Sequence, residues 1–501
     1  MSSHIKKLGI VGAGPATVYL LHYLSSLNER YSITILEHQP DAGRGLPYCQ
    51  ANSPYSLLSN LLPDEIPPTV KSFREWCSGN SIALKDEPVP RYLIGQFLHW
   101  SLTCLINKRP GVTLINSCRV KSVNLNNCGT FTVFTETFEQ FEFDDLVLNT
   151  GHGITPTGSD VQFAYPLNEL KIKEAVKYVN LIGSSMTAID CALFLAQKYG
   201  SFQCESDKWL YIPSKPVEIK MHSTSGLFPL PFFRSRDLQP EIKKLIEASD
   251  LSGTSRRSLD RLYRTVLLRL LKKYAPRIYH QSNTRNFREF IQKWQSSVFH
   301  QRADTSLKLG MFMNNRCEEF SVVLAIFEVF FDSLCDLKIT FTPEDQTFIS
   351  SVCIPFLAKN NGALPSTSAN KILALMESGT LSIKRVQKTS SEPQLPGIDG
   401  TTVTIDCRAA GRTQRDPLIQ NLAGNGLVRL TGQTNSRSIK RIETDNEYRA
   451  YISPGTQATI YVSSAPLLRA TSNTLPGMSV TANIAKSIAD SLAGAHQKEC
   501  A

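Results

Sequence analysis

The stretch that most restricts what this chain can fold into is LGIVGAGPATVYLL at residues 8–21. Leu8 to Val11 is a short apolar run, the pattern of a strand buried on both faces. It breaks into Gly12-Ala13-Gly14-Pro15-Ala16-Thr17 and resumes as an apolar helical pattern. A strand, a glycine turn and a helix in that order open a βαβ unit, in which helix N-terminal amides point at a phosphate. In the fingerprint G-x-G-x-x-G the first glycine makes the tight turn and the second lets the backbone approach a pyrophosphate. The third permits close packing of helix on strand. Gly12 and Gly14 hold the first two places and Thr17 the third. Thr17 therefore bears on packing more than on phosphate. Either the helix stands slightly further from the sheet, or the threonine hydroxyl folds back onto a backbone carbonyl.

A second strand pattern, YSITILEHQP at 31–40, ends in Glu37, roughly 20 residues beyond the glycines, where a carboxylate accepts hydrogen bonds from ribose hydroxyls. Gly12, Gly14, Pro15, Ala16, Thr17 and Glu37 together read as a dinucleotide site. The same grammar recurs in KYVNLIGSSMTAIDCALFLAQKYG at 177–200. Val179 to Ile182 is the strand, Gly183-Ser184-Ser185-Met186-Thr187 the turn, and a helix runs through Asp190 toward Gly200. This turn is looser, because Ser185 stands where a glycine would let the backbone approach. A second nucleotide site and a Rossmann-like unit kept for packing both fit it.

At 501 residues the chain is too long for one ordinary domain, and about three are expected. A hydrophobic share of 42% with 20% charged residues is that of a soluble globular protein. The richest apolar stretch, SVVLAIFEVFFDSL at 321–334, is interrupted by Glu328 and Asp332 and reads as a buried helix. The twelve cysteines are scattered without C-x-x-C or metal-ligand spacing, so no metal site and a reducing compartment are expected. The first strand begins almost at once, without a signal-peptide pattern, and the expected location is the cytoplasm. The net charge is +10, and between Arg234 and Lys293 basic residues outnumber acidic ones by about nine. A solvated helix face and attraction of an anionic ligand are both open. Nucleic acid is not expected, since zinc-finger spacing, RRM or KH motifs and interleaved aromatics are absent. Neither is a membrane partner.

Further residues carry a family likeness. DAGRGLPYCQANSPYSLLSNLLPDEIP holds Gly43-Arg44-Gly45 and then Tyr48, Ser59 and Asn60. VPRYLIGQFLHW follows at 89–100, and FDDLVLNTGHG at 143–153 ends in Asn149-Thr150-Gly151-His152. With these motifs the chain resembles the FAD/NAD(P)-binding proteins of the flavin-dependent oxidoreductase superfamily. The nearest group has mostly uncharacterised bacterial members, distantly related to class B N-hydroxylating flavin monooxygenases. Asn149 replaces the group's usual alanine. The likeness covers residues 6 to about 236 and 350 to 495. It implies FAD at the first site, with Gly45, Thr150 and Gly151 near the dinucleotide and Asn60 beside the flavin, where a loop-capping asparagine is the alternative. It implies NAD(P)H at the second, bound by Gly183 to Thr187.

VEIKMHSTSGLFPLPFFRSR at 217–236 is similar to the family's S-R-x-G-L-x-P strand end, with Ser223, Gly226, Leu227 and Pro229 in step. Thr224 stands in place of the arginine that pairs with the 2′-phosphate of NADPH in relatives. Arg234 and Arg236 are candidates to replace it, and NADH or NADPH stays open. The C-terminal segment matches again: Thr404-Ile405-Asp406-Cys407, Arg469, and a last helix beginning at Met478, Ser479 and Val480. In the superfamily that helix aims its N-terminus at the flavin; a helix kept for packing is the alternative. Ala465 replaces a family glycine.

The expected fold is α/β, with two Rossmann-like dinucleotide-binding units (FAD and NAD(P)) and a largely helical insert. The expected boundaries are 1–160 for the first part of the FAD domain and 161–236 for the NAD(P) unit. A mainly helical insert at 237–385 offers substrate-facing surface, and 386–501 returns to the FAD domain. The resemblance implies an FAD-dependent enzyme reduced by NAD(P)H, foremost a monooxygenase hydroxylating a small metabolite. A flavin oxidoreductase that does not activate oxygen and a degenerate, non-catalytic nucleotide-binding protein are the alternatives. No catalytic residue is named, and His280 and His300 are weak acid–base candidates.

Overall fold

The computed structural model describes residues 5–25, 31–50, 53–54, 56–85, 87–151, 161–206, 208–224, 226–229, 239–248, 258–282, 284, 286–296, 318–336, 339, 341–354, 364–386, 400–408, 416–431, 441–450, 458–464, 467–468 and 477–499. The chain opens as its sequence directs, with β1 (Lys6–Val11), α1 (Pro15–Leu24) and β2 (Tyr31–Leu36). Pro15 begins α1, where its fixed φ suits the first helical turn and its missing N–H leaves no bond unmade. Next come α2 (Phe73–Gly79), α3 (Arg91–Lys108) and β3 (Val112–Ile115). An antiparallel meander of β4 (Val120–Leu125), β5 (Phe131–Thr135) and β6 (Gln140–Phe143) precedes β7 (Asp145–Leu148) and β8 (Val161–Phe163).

The second glycine turn follows β9 (Tyr178–Ile182) and starts α4 (Met186–Tyr199). A hairpin of β10 (Gly200–Glu205) and β11 (Lys208–Pro213) separates α4 from β12 (Glu218–Ser223). Then come α5 (Gln239–Ala248), α6 (Leu259–Leu262), α7 (Leu268–Tyr274), α8 (Pro276–Ser282), α9 (Phe287–Ser296), α10 (Glu318–Asp336), α11 (Pro343–Phe348) and α12 (Ser366–Glu377), and β13 (Leu381–Arg385). The remaining elements are β14 (Thr402–Asp406), α13 (Pro417–Gly424), β15 (Leu430–Thr431), β16 (Arg441–Ile442), β17 (Thr459–Val462) and α14 (Met478–Glu499).

Two compact units result. One comprises 1–175, 389–469 and 476–501, the other 176–388 and 470–475. In the first, five strands pair in the order β17-β7-β1-β2-β3, all parallel. Leu8, Ile10, Ile33, Ile35, Leu146 and Val147 are fully buried, as strands covered on both faces must be. α1 packs against α3 and α14. The strand order reverses between β1 and β7, and ligands of open α/β sheets bind outside the carboxyl ends of the strands at such a switch point.

In the second unit β12 lies between β9 and β13, again in parallel. α12 packs against α4, β11 and β13. Helices α5, α6, α7, α9 and α10 lie within the stretch 237–385 expected to be mainly helical. They share a core of Tyr263, Phe287, Phe290, Phe327, Phe330 and Phe331. The fold is therefore α/β with two Rossmann-like units and a largely helical insert. None of the described helices is long and apolar enough to cross a membrane.

Candidate dinucleotide sites

The two glycines of the first turn are there for different reasons. Gly12 has φ +97°, and a Cβ on it would lie 2.4 Å from the Asn149 carbonyl oxygen. The protein's own backbone demands glycine at that place. Gly14 has φ −79° and ψ −168°, a conformation open to any residue. A Cβ on it would meet only the Gly45 Cα, at 3.6 Å. Among the described residues nothing requires a glycine there, and the room before it suits a ligand that approaches the backbone. The loop carrying Gly45 lies on this turn: Gly43 N donates to Ala13 O at 2.6 Å. A Cβ on Gly45, whose φ is +67°, would strike Pro15 at 2.8 Å.

Thr17 settles the choice left open by its side chain. Its hydroxyl donates to Gly12 O at 2.6 Å and accepts from Asn149 Nδ2 at 2.7 Å, with Thr17 fully buried. The two departures from the familiar pattern, at 17 and 149, are thus one hydrogen-bonded pair. They join the glycine turn to the end of β7 across 132 residues of chain.

Glu37 is 6% exposed and reaches back to the turn, taking a hydrogen bond from Ala13 N at 2.5 Å. Its other oxygen accepts from Gln39 N at 2.8 Å and lies 2.9 Å from His38 Nδ1. Burial pushes this carboxyl up, but the hydrogen bonds from His38, Gln39 and Ala13 outweigh it and hold it below its ordinary value. A carboxylate has about four lone-pair sites, so these three donors leave room for a further hydroxyl.

Several buried polar atoms around this switch point have no hydrogen-bond partner: Arg44 Nε and Nη1, Asn149 Oδ1, Thr150 Oγ1 and Ser463 Oγ. Arg44 Nε lies 2.9 Å from Asp41 Oδ2, close enough for an ion pair but off the line of a hydrogen bond. A buried group left this way costs about 1–3 kcal/mol, a cost that an anionic ligand accepting from guanidinium and hydroxyl donors removes. The first turn of α1 carries no acidic residue, so apart from Glu37 at Ala13 N the positive end of the helix dipole is left open. The residues present fit a bound dinucleotide. Gly151, with φ +64°, is fixed by Ser464, whose Oγ donates to its carbonyl at 2.8 Å. Asn60 is exposed on the loop that Leu58 pins to Pro90, and no hydrogen bond among the described residues ties it to the glycine turn.

The second turn repeats the backbone of the first. Gly183 has φ +118°, and its N–H donates to His222 O at 2.8 Å. Ser185 has φ −91° and ψ −170°, close to the angles of Gly14. Its side chain is exposed and makes no capping hydrogen bond, so Ser185 narrows the approach to the backbone without obstructing the turn. Ser184 is turned away, its hydroxyl donating to Leu227 O at 2.7 Å. Met186 and Thr187 are half-buried in the first turn of α4, which is also free of acidic residues. Ser223 ends β12, and its Oγ accepts from Gly226 N at 2.9 Å.

Ser463 and Ser464 were not singled out by sequence, and Arg44 and Asn149 were read as parts of motifs without a role of their own. The position of Arg44 between two glycines was the available signal, whereas the other three depend on tertiary pairing. His152, Arg234, Arg236, His300, Ala465 and Arg469 lie outside the described residues.

A family model described as FAD-NAD(P)-binding matches residues 9–153. The uncharacterized protein YdhS of Escherichia coli (strain K12) is 25% identical over 432 residues, 76% of this chain and 77% of that protein. Among solved structures, the reduced form of ornithine hydroxylase from Pseudomonas aeruginosa is similar at a TM-score of 0.49 and 12% identity, over 98% of this chain and all of that one. L-lysine 6-monooxygenase from Pseudomonas syringae is similar at 0.48 and 12%, over 98% of this chain and 99% of that one. The segment built around Gly12, Gly14, Thr17 and Glu37 lies within the residues that the FAD-NAD(P)-binding family model matches.

Proposed function

We propose that this chain is an FAD-dependent oxidoreductase reduced by NAD(P)H, with FAD in the first unit and the pyridine nucleotide at Gly183–Thr187 and Ser223. The observation that carries the reading is the room before Gly14, against which the Gly45 loop lies, together with buried atoms of Arg44 and Thr150 that make no hydrogen bond. Bound FAD would supply the redox chemistry, hydride acceptance from NAD(P)H and electron delivery to oxygen or another acceptor. The chain's own part is binding and electrostatics. The α1 N-terminus and Arg44 offset the charge of the pyrophosphate. Glu37 accepts from a ribose hydroxyl while holding Ala13, and Thr17 with Asn149 keeps the turn in shape. By the family resemblance, Asn60 and the N-terminus of α14 at Met478–Val480 would lie toward the flavin, where the positive end of that helix would favour negative charge on the reduced ring.

The finer reading is a monooxygenase that hydroxylates a small metabolite, and it rests on the sequence resemblance to class B enzymes. The departures Thr17, Asn149, Ser185, Thr224 and Ala465 keep a non-catalytic reading open by sequence. The pairing of Thr17 with Asn149 supports a maintained first site over a decayed one.

The test is an anaerobic titration of the purified protein with NADH and with NADPH, followed by admission of air and measurement of oxygen uptake. The expected result is bleaching of the flavin bands by one nucleotide and oxygen uptake that rises with a substrate from a panel of small amines and carbonyl compounds. Brisk reduction of an artificial acceptor without oxygen uptake would replace the monooxygenase with an oxidoreductase. Flavin bands that neither nucleotide bleaches would overturn the proposal.

A further inference from the structure

The sequence leaves the second site without the arginine that relatives carry after β12, since Thr224 stands there. The structure brings another arginine to the same edge. β13 pairs in parallel with β12 so that Arg385 is opposite Ser223, the last residue of each strand. The next residue continues the register, Val386 N donating to Ser223 O at 2.9 Å. The loop after β12 comes against the arginine's stem: a Cβ on Gly226, whose φ is +62°, would lie 3.0 Å from the Arg385 Cβ. Arg385 is exposed and forms no ion pair with a described residue. The glycine turn ends on the same side, since Gly183 N is bound to His222 O. Adjacent strands are about 4.8 Å apart, so β13 runs about 10 Å from β9.

In a βαβ nucleotide unit the end of the second strand reads the adenosine ribose. A carboxylate there binds the free 2′-hydroxyl of NAD, and a nearby arginine accommodates the 2′-phosphate of NADP. This chain contains both chemistries. β2 leads into Glu37 at the first site, whereas β12 ends in His222-Ser223-Thr224, without a carboxylate. Burial, followed by Lys220 and Lys384, keeps the His222 imidazole below its ordinary value, so the fixed positive charge of this edge comes from lysine and arginine.

We infer that Arg385, delivered by the neighbouring strand, replaces the missing arginine at 224 and selects NADPH over NADH by binding the ribose 2′-phosphate. The inference rests on the proposed pyridine-nucleotide site. A guanidinium donates two parallel hydrogen bonds to a phosphate, which a point charge does not.

The test is calorimetric titration of the full-length flavoprotein with NADP⁺, NAD⁺ and 2′,5′-ADP, a readout independent of turnover. NADP⁺ is expected to bind at least about 10-fold more tightly than NAD⁺, with 2′,5′-ADP competing. Arg385→Gln is expected to weaken NADP⁺ and 2′,5′-ADP by about 10- to 100-fold, the range of a hydrogen bond to a charged group. NAD⁺ should stay within about twofold, and Arg385→Lys should recover part of the loss. Retained flavin absorbance and circular dichroism establish that the exposed-site variants are folded. Equal affinity of the unaltered protein for the two nucleotides, or NADP⁺ binding unchanged in Arg385→Gln, would overturn the inference and leave the site reading standing. If neither nucleotide binds, the site reading fails and the inference with it.

Discussion

Changing Thr17 to alanine removes the hydroxyl that Asn149 Nδ2 donates to. The amide is then buried with neither end paired, because its Oδ1 has no partner to begin with. One unsatisfied buried donor costs about 1–3 kcal/mol. Asn149→Ala is milder, about 0.5–1.5 kcal/mol, because the Thr17 hydroxyl still donates to Gly12 O and an unpaired oxygen is removed along with the bond. The double variant has no stranded amide, so it should cost less than the sum of the singles by about 1–2 kcal/mol, within the range of contacting residues. The same reasoning makes Thr17→Gly destabilising although it restores the third glycine of the fingerprint. Because the chain has two units, a single unfolding signal mixes their transitions. The appropriate assay is hydrogen exchange of peptides spanning residues 8–24 in the flavin-free protein across a urea series. Single variants whose costs add to the double within about 0.3 kcal/mol would refute the coupling.

The two glycines of the first turn should separate in the same assay. Gly12→Ala should fail to fold the turn, whereas Gly14→Ala should leave the flavin-free protein within about 1 kcal/mol of its stability while lowering FAD affinity by at least about 10-fold; Gly14→Asp should abolish binding. Comparable loss of folding in both would contradict the distinction drawn from the room around each. Arg44→Met, which keeps the bulk of the stem, should weaken FAD by about 10- to 100-fold with little effect on folding, as equilibrium dialysis would measure. The Glu37 carboxyl is lowered in the folded state, so its contribution is complete above the unfolded value of about 4.3. It is lost as pH falls through the lower folded value. Protection of the 8–24 peptides should fall in that acid window, and Glu37→Gln should flatten the fall; an unchanged profile would remove Glu37 from the turn's support.

Local pattern sufficed where a structural unit sits on consecutive residues. The run Leu8–Val11, the glycines and the helix of Pro15–Leu24 could be read directly, and so could the second turn at Gly183–Thr187. The hydroxyl of Thr17 was readable as one of two outcomes, because a first-turn threonine has a backbone carbonyl within reach. Which outcome held depended on Asn149, far along the chain, and no period or spacing connects the two. Arg385 was hidden for a similar reason. It ends an unremarked strand at the far end of a helical insert, and only parallel pairing with β12 gives it a neighbour at Ser223. The β10–β11 hairpin was also missed: it follows α4 without a turn, Gly200 serving as the helix's last cap and the strand's first residue.

The most direct test of the account is the visible spectrum of the purified protein, with the flavin counted after release from the denatured chain. The account predicts the bands of oxidised flavin at one FAD per chain, retained in Thr17→Ala and absent in Gly14→Asp. A colourless protein that does not take up added FAD, or full flavin content in Gly14→Asp, would contradict it.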